Sequence, residues 1–126
     1  MVDGTPRLAA LRGAISVERN DATAIQEATT ELLTELMERN RLSAGDIVSC
    51  IFTATEDLDA DFPARAARQL GLARVPLLCA REIPVPGSMA RVVRVLIHYY
   101  GDNAGPPQHV YLREASALRE DLAGAQ

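Results

Sequence analysis

The sequence predicts an α+β domain with a mixed or antiparallel sheet, and three observations lead there. Strand-type apolar runs stand at residues 8–17, 47–53, 75–80, 90–100 and 109–112. One long amphipathic helical stretch separates the first run from the second, and a short alanine-rich one separates the second from the third. The last three runs then follow one another through loops alone, giving the order β-α-β-α-β-β-β.

The first run, L-A-A-L-R-G-A-I-S-V over 8–17, puts Leu11, Ile15 and Val17 on one parity. Arg12 falls on the other, among Ala10, Ala14 and Ser16, whose small side chains leave room for a group to approach its guanidinium. Asp21 suits the N-cap of a helix running to about Asn40, with Ile25, Ala28, Leu32, Leu33, Leu36 and Met37 as its apolar stripe. Glu27, Glu31, Glu35 and Glu38 form its solvated face, and no chemistry is assigned to it.

In the second strand Val48, Cys50 and Phe52 are expected to share a face, with Cys50 as a small buried hydrophobe. The acidic loop 53–61 carries Glu56, Asp57, Asp59 and Asp61, but it lacks the glycine and terminal glutamate of a calcium-binding EF-hand loop. Pro63 opens a short helix that Gly71 closes, and Arg65 and Arg68 are neighbours on its surface. They are placed to receive an anion or to pair with the preceding acids.

The most informative stretch is Val75–Tyr100, where two strand-type runs flank a proline- and glycine-marked connection. Cys79 and Glu82 stand at the end of the first run. Arg94 stands in the middle of the second and shares a face with Val92, Leu96 and His98. An arginine on a largely apolar strand face keeps its charge and needs an anionic partner, either a residue or a ligand. A loop at 101–108 leads to a last strand, His109–Leu112, with His109 and Tyr111 on one parity.

Composition narrows the chemistry. The chain has 126 residues, 48% of them apolar, and a net charge of −4, which argues against nucleic acid or an anionic membrane as the main partner. All 13 basic residues are arginines, so no lysine is present for Schiff-base catalysis. Cys50 and Cys79 have neither C-x-x-C nor metal-ligand spacing, and are expected to be free thiols. With no apolar leader and no run of transmembrane length, a soluble cytoplasmic protein is expected, one domain over residues 1–126 with flexible ends at 1–7 and 119–126. There is no G-x-G-x-x-G and no P-loop. A Cys79–histidine nucleophile pair, using His98 or His109, has no local sequence relation to support it.

Arg12, Arg94, Glu82, Tyr111 and Cys79 are the polar residues left on strand faces, with Arg68 nearby on a helix. Three arginines and one glutamate suit a small ligand with two carboxylates and a hydroxyl, since Arg forks bind carboxylates and Glu accepts from hydroxyl. So small a domain does not readily close a pocket of that charge alone. A cleft between subunits does.

The motifs R-G-A-I-S-V-E-R at 12–19, T-A-T-E-D-L-D-A-D-F-P-A-R-A-A-R at 53–68, V-P-L-L-C-A-R-E at 75–82, R-V-V-R-V at 91–95 and H-V-Y-L-R-E-A-S-A-L-R-E-D-L at 109–122 resemble, in order, those of the monofunctional chorismate mutases of the trimeric type, unrelated to the all-helical enzymes. The resemblance implies a mixed β-sheet with helices packed on one face and three subunits forming a pseudo-α/β barrel. It implies a pericyclic rearrangement of chorismate to prephenate with no cofactor, no metal and no covalent intermediate. Arg94 is similar to the arginine at the breaking ether oxygen, Arg12 and Tyr111 to carboxylate-binding residues, and Glu82, with Cys79 near it, to the group holding the ring hydroxyl. Phe62, Ala64 and Arg68 match positions contributed by a neighbouring subunit, Arg65 stands where relatives can carry lysine and keeps the rim positive, and Leu118 and Arg119 lie where the tail closes over the site. An imine-deaminase-like hydrolase and a non-catalytic metabolite sensor are the alternative readings.

Overall fold

The computed structural model describes residues 5–102 and 105–118. Five strands form one sheet in the order β3-β2-β4-β1-β5. They are β1 (Arg7–Ser16), β2 (Ile47–Ala54), β3 (Leu77–Arg81), β4 (Val92–Gly101) and β5 (Val110–Leu112), joined by α1 (Ala22–Arg39) and α2 (Ala64–Ala67). β4 is antiparallel to both β1 and β2, while β1–β5 and β2–β3 are parallel. The expected α+β class and mixed sheet are both present. Arg7, assigned to a flexible extension, is already in β1 and pairs with Gly101.

α1 forms where the apolar stripe predicts it. The Asp21 carboxylate accepts the Ala24 N–H at 2.7 Å, and Asn40 ends the helix. Its buried face, including Ile25, Leu32, Leu33 and Leu36, covers one side of the sheet and packs with Leu11, Ile15, Phe52, Val95 and Ile97. Gly13 is where helix and sheet come closest. A Cβ there would stand 2.8 Å from Leu36 Cδ1 and 3.0 Å from Leu32 Cδ1.

Among the described residues the other side of the sheet carries no α-helix, only the short 3-10 turn Arg113–Ala117 at one end. Arg12, Arg94, Leu96, His98 and Tyr100 lie on it, joined at one end by a small cluster of Ala14, Val92, Tyr111 and Ala115. Large apolar side chains are left in solvent, among them Leu8, Leu78 and Tyr100.

Three expectations need correction. Val48 does not share the core face with Cys50 and Phe52, because a bulge between Ile47 and Ser49 turns Ile47 inward and leaves Val48 exposed. β3 begins at Leu77 rather than Val75, since the chain is still turning: the Val75 N–H donates to the Leu72 carbonyl. The second helix has only four α-helical residues and continues as a wider turn over Arg68–Leu72, closed by Gly71 at φ 98°.

Candidate active site

Strand register assembles the site. Across the face opposite α1, Tyr111 of β5 pairs with Ala14 of β1, Ala14 with Arg94 of β4, and Arg94 with Thr53 of β2. Arg94 therefore rises from the centre of the sheet between two short side chains, and alanine on one side leaves it room. Arg12 pairs with Leu96, so Arg12 and Arg94 are diagonal neighbours on one face, a relation with a spacing of about 7–8 Å. Two arginines rooted that close on one strand pair, both lining the same cavity, suit a ligand with two negative groups.

Glu82 follows the end of β3, where its N–H donates to the Ala54 carbonyl at 2.9 Å. Its carboxylate accepts from the Thr53 hydroxyl and faces Arg94, with Oε2 3.4 Å from the arginine Nε. That Nε is buried and has no aligned hydrogen bond, although the Arg94 side chain as a whole is 42% exposed. One carboxylate thus orients the arginine without enclosing it. Arg12, Thr53, Glu82, Arg94 and Tyr111 line a cavity of about 310 Å³, floored by Gly13, Ile51, Val95 and Leu96.

The entry to β4 is fixed by the acidic loop, which accounts for acids that the sequence left unassigned. Both Asp57 carboxylate oxygens accept the Arg91 N–H at 3.1 Å, and the Thr55 hydroxyl accepts that of Val92 at 3.0 Å. Arg91 is held at φ 51°, in the left-handed region that residues other than glycine seldom adopt, three residues before Arg94. Asp59 is bound by Asn20, and Asp61 accepts from Gln26 and pairs with Arg65 at 3.4 Å. Among the described residues, no group of three or more His, Cys, Asp or Glu is arranged to hold a metal.

The remaining candidates lie elsewhere on the chain. Cys79, Phe62 and Arg65 line a second cavity, of about 410 Å³, with Phe52, Leu58, Asp61 and Pro63. Cys79 is paired with Phe52 and points to the core side, so within one chain it does not meet Arg12 or Arg94. Ala64 is buried in α2, whereas Arg68 is exposed and makes no ion pair with a described residue. Leu118 packs against the cluster of Ala14, Val92, Tyr111 and Ala115, next to the first cavity. Arg119 lies outside the described residues.

The cysteine–histidine pair is not assembled. Cys79 is on the edge strand β3 and His109 adjoins β5 at the opposite edge, four strand spacings or about 19 Å away. His98 is two strands from Cys79, and its Nδ1 lies 3.3 Å from Ser49 Oγ. Burial pushes the Cys50 thiol up to about 11, which makes it a core side chain rather than a nucleophile.

Thr53 has a contact that residue type alone did not reveal. Period-two alternation from Phe52 puts Thr53 on the face opposite the core, but only the β2–β4 register brings it beside Arg94.

Fold and cavity together define a small α+β chain that presents two arginines, one carboxylate and one phenol on one face of its sheet. The segment carrying all of these, residues 8–122, matches the family model of chorismate mutase type I, and the chain belongs to that family. It is 54% identical over 121 residues to chorismate mutase AroH of Thermus thermophilus, spanning 92% of this chain and 97% of that protein. Identity to chorismate mutase AroH of Bacillus subtilis (strain 168) is 38% over 118 residues, spanning 90% and 91%. A solved chorismate mutase from Clostridium thermocellum superposes with a TM-score of 0.82 at 44% identity, covering 86% of this chain and 98% of that one.

Proposed function

We propose that the protein rearranges chorismate to prephenate, supplying the aromatic amino acid route, through electrostatic stabilisation and orientation by its own side chains. The observation that carries this reading is the placement of Arg94 at the centre of the face opposite α1, with Glu82 at 3.4 Å and Arg12 on the diagonal. Cleavage of the ether C–O bond runs ahead of C–C formation, so negative charge grows on the ether oxygen. A fixed guanidinium at that oxygen stabilises the transition state more than the ground state, which raises the rate. Arg12 and Tyr111 hold the carboxylates, and Glu82 accepts from the ring hydroxyl. Together they keep the enolpyruvyl group in a chair-like pose, which removes orientational freedom before the reaction. No covalent step and no cofactor enters this mechanism.

A homotrimer completes the site in this reading. The first cavity is open on one side, while Phe62 is 66% exposed and Arg68 has no ion-pair partner among the described residues. Phe62, Arg65, Arg68 and, on its core-facing side, Cys79 then serve a neighbouring copy's cavity, with Ala64 packed beneath them in α2. The exposed Leu8, Leu78 and Tyr100 supply apolar area for that contact. No described helix is long and apolar enough to cross a membrane, and a cytoplasmic location suits a doubly charged substrate.

The test is loss of chorismate absorbance with purified protein, the product being converted by acid to phenylpyruvate. Saturable loss without added metal or cofactor is expected. No acceleration over buffer by folded protein would overturn the reading in favour of a metabolite sensor.

A further inference from the structure

The backbone of Arg12 is held by a contact that the sheet ladder does not provide. Parallel pairing of β1 with β5 begins at Gly13 and Val110, one residue beyond Arg12. The Arg12 N–H is met instead by a side chain, donating to Nδ1 of His109 at 3.0 Å. An imidazole nitrogen that accepts carries no proton, so the ring is neutral with its hydrogen on Nε2.

His109 is itself fixed in place. Asn40, at the end of α1, accepts the Gln108 N–H at 2.8 Å and donates to the Gln108 carbonyl at 2.9 Å. Val110, which follows His109, is buried in the core. The groups around the ring agree with a neutral form. From β1 it feels the positive charge of Arg12, and α1 presents the apolar Leu32 and Leu36 beside Gly13 and the uncharged Asn40 beside Gln108. No carboxylate among the described residues supports an imidazolium there. Burial and the Arg12 charge both hold its pKa below the ordinary histidine value.

We propose that His109 is a positioning residue for Arg12, its neutral ring extending the β1–β5 edge by one hydrogen bond and thereby setting where that guanidinium meets a substrate carboxylate. This rests on the assignment of Arg12 to substrate binding, and that assignment has its own control. His109 touches no reacting atom. Protonation would remove the acceptor and place a second positive charge beside Arg12.

The experiment compares chorismate kinetics of the unmodified enzyme with Arg12→Ala, His109→Leu and His109→Asn, from about pH 5.5 to 7.5, where histidine titrates. His109→Leu should raise KM about three- to tenfold, the scale of one hydrogen bond, with kcat changed less than about twofold. His109→Asn, whose Oδ1 stands near the position of Nδ1, should restore KM to within about twofold and abolish its rise at acid pH. Arg12→Ala should raise KM more than either; if it does not, the reading of Arg12 fails whatever His109 does. With Arg12 sustained, an unchanged KM in His109→Leu overturns the proposal, as does an equal defect in Leu and Asn variants. Should the Leu variant not fold, the pH profile of His109→Asn decides: an acid rise in KM like that of the unmodified enzyme overturns the proposal.

Discussion

Arg94 Nε lies 3.4 Å from Glu82 Oε2, and Thr53, the cross-strand partner of Arg94, donates its hydroxyl to that same carboxylate. The three side chains come from β4, the end of β3 and β2. Removing any one changes how the other two are held.

Arg94→Ala removes the charge placed for the ether oxygen. By the scale of one preorganised donor, the barrier should rise by about 3–4 kcal/mol, a loss of roughly 10²–10³ in kcat. Circular dichroism and the hydrodynamic size should be unchanged, because the side chain is partly exposed and on no core contact. Retention of most of the turnover would refute the assignment.

Thr53→Val keeps the shape of the side chain and deletes the donor to Glu82. A hydrogen bond to a charged group is at stake, so kcat/KM should fall about tenfold. The effect should largely vanish in a Glu82→Gln background, where the charged acceptor is already gone. Additive losses would mean that Thr53 acts independently of Glu82.

Gly13→Ala tests the closest approach of helix and sheet. Its Cβ would stand 2.8 Å from Leu36 Cδ1, 3.0 Å from Leu32 Cδ1 and 3.3 Å from the Val110 carbonyl oxygen. Either leucine has to shift, and overpacking of this kind costs about 1–3 kcal/mol. Urea denaturation should report a lower midpoint with an unchanged slope.

His109 gives a pH dependence of stability with a definite sign. Its folded pKa lies below the ordinary 6.5, through burial first and the Arg12 charge second. The unfolded chain therefore binds the proton more readily. The stability it contributes is present in full above about pH 6.5 and is lost as the pH falls through the lowered folded value. Denaturation midpoints across that window should decline in the unmodified protein and decline less in His109→Asn. Identical curves would exclude His109 as the titrating group.

Mixing subunits tests whether sites are shared. Arg94→Ala and Arg68→Ala chains damage different halves of the site in the proposed trimer. Random mixed trimers regain about one intact site in four, so partial activity should return on joint refolding. Two inactive preparations that stay inactive when refolded together would place both arginines in the same half.

The α1 stripe, its Asp21 cap and the alternation around Arg12 and Arg94 were legible in the sequence because each is a local periodicity. The same alternation failed at Val48, where one extra residue in a bulge reverses the facing of its neighbours. Side-chain type and parity were enough to single out Arg12, Arg94, Glu82 and Tyr111 as candidates. Only the tertiary structure decided their company. The order β3-β2-β4-β1-β5 is set by long-range pairing, and it puts Thr53 beside Arg94, Cys79 on the core side and His109 against the Arg12 backbone. Periodicity specifies which way a side chain points, whereas register between strands far apart in the chain specifies what it meets.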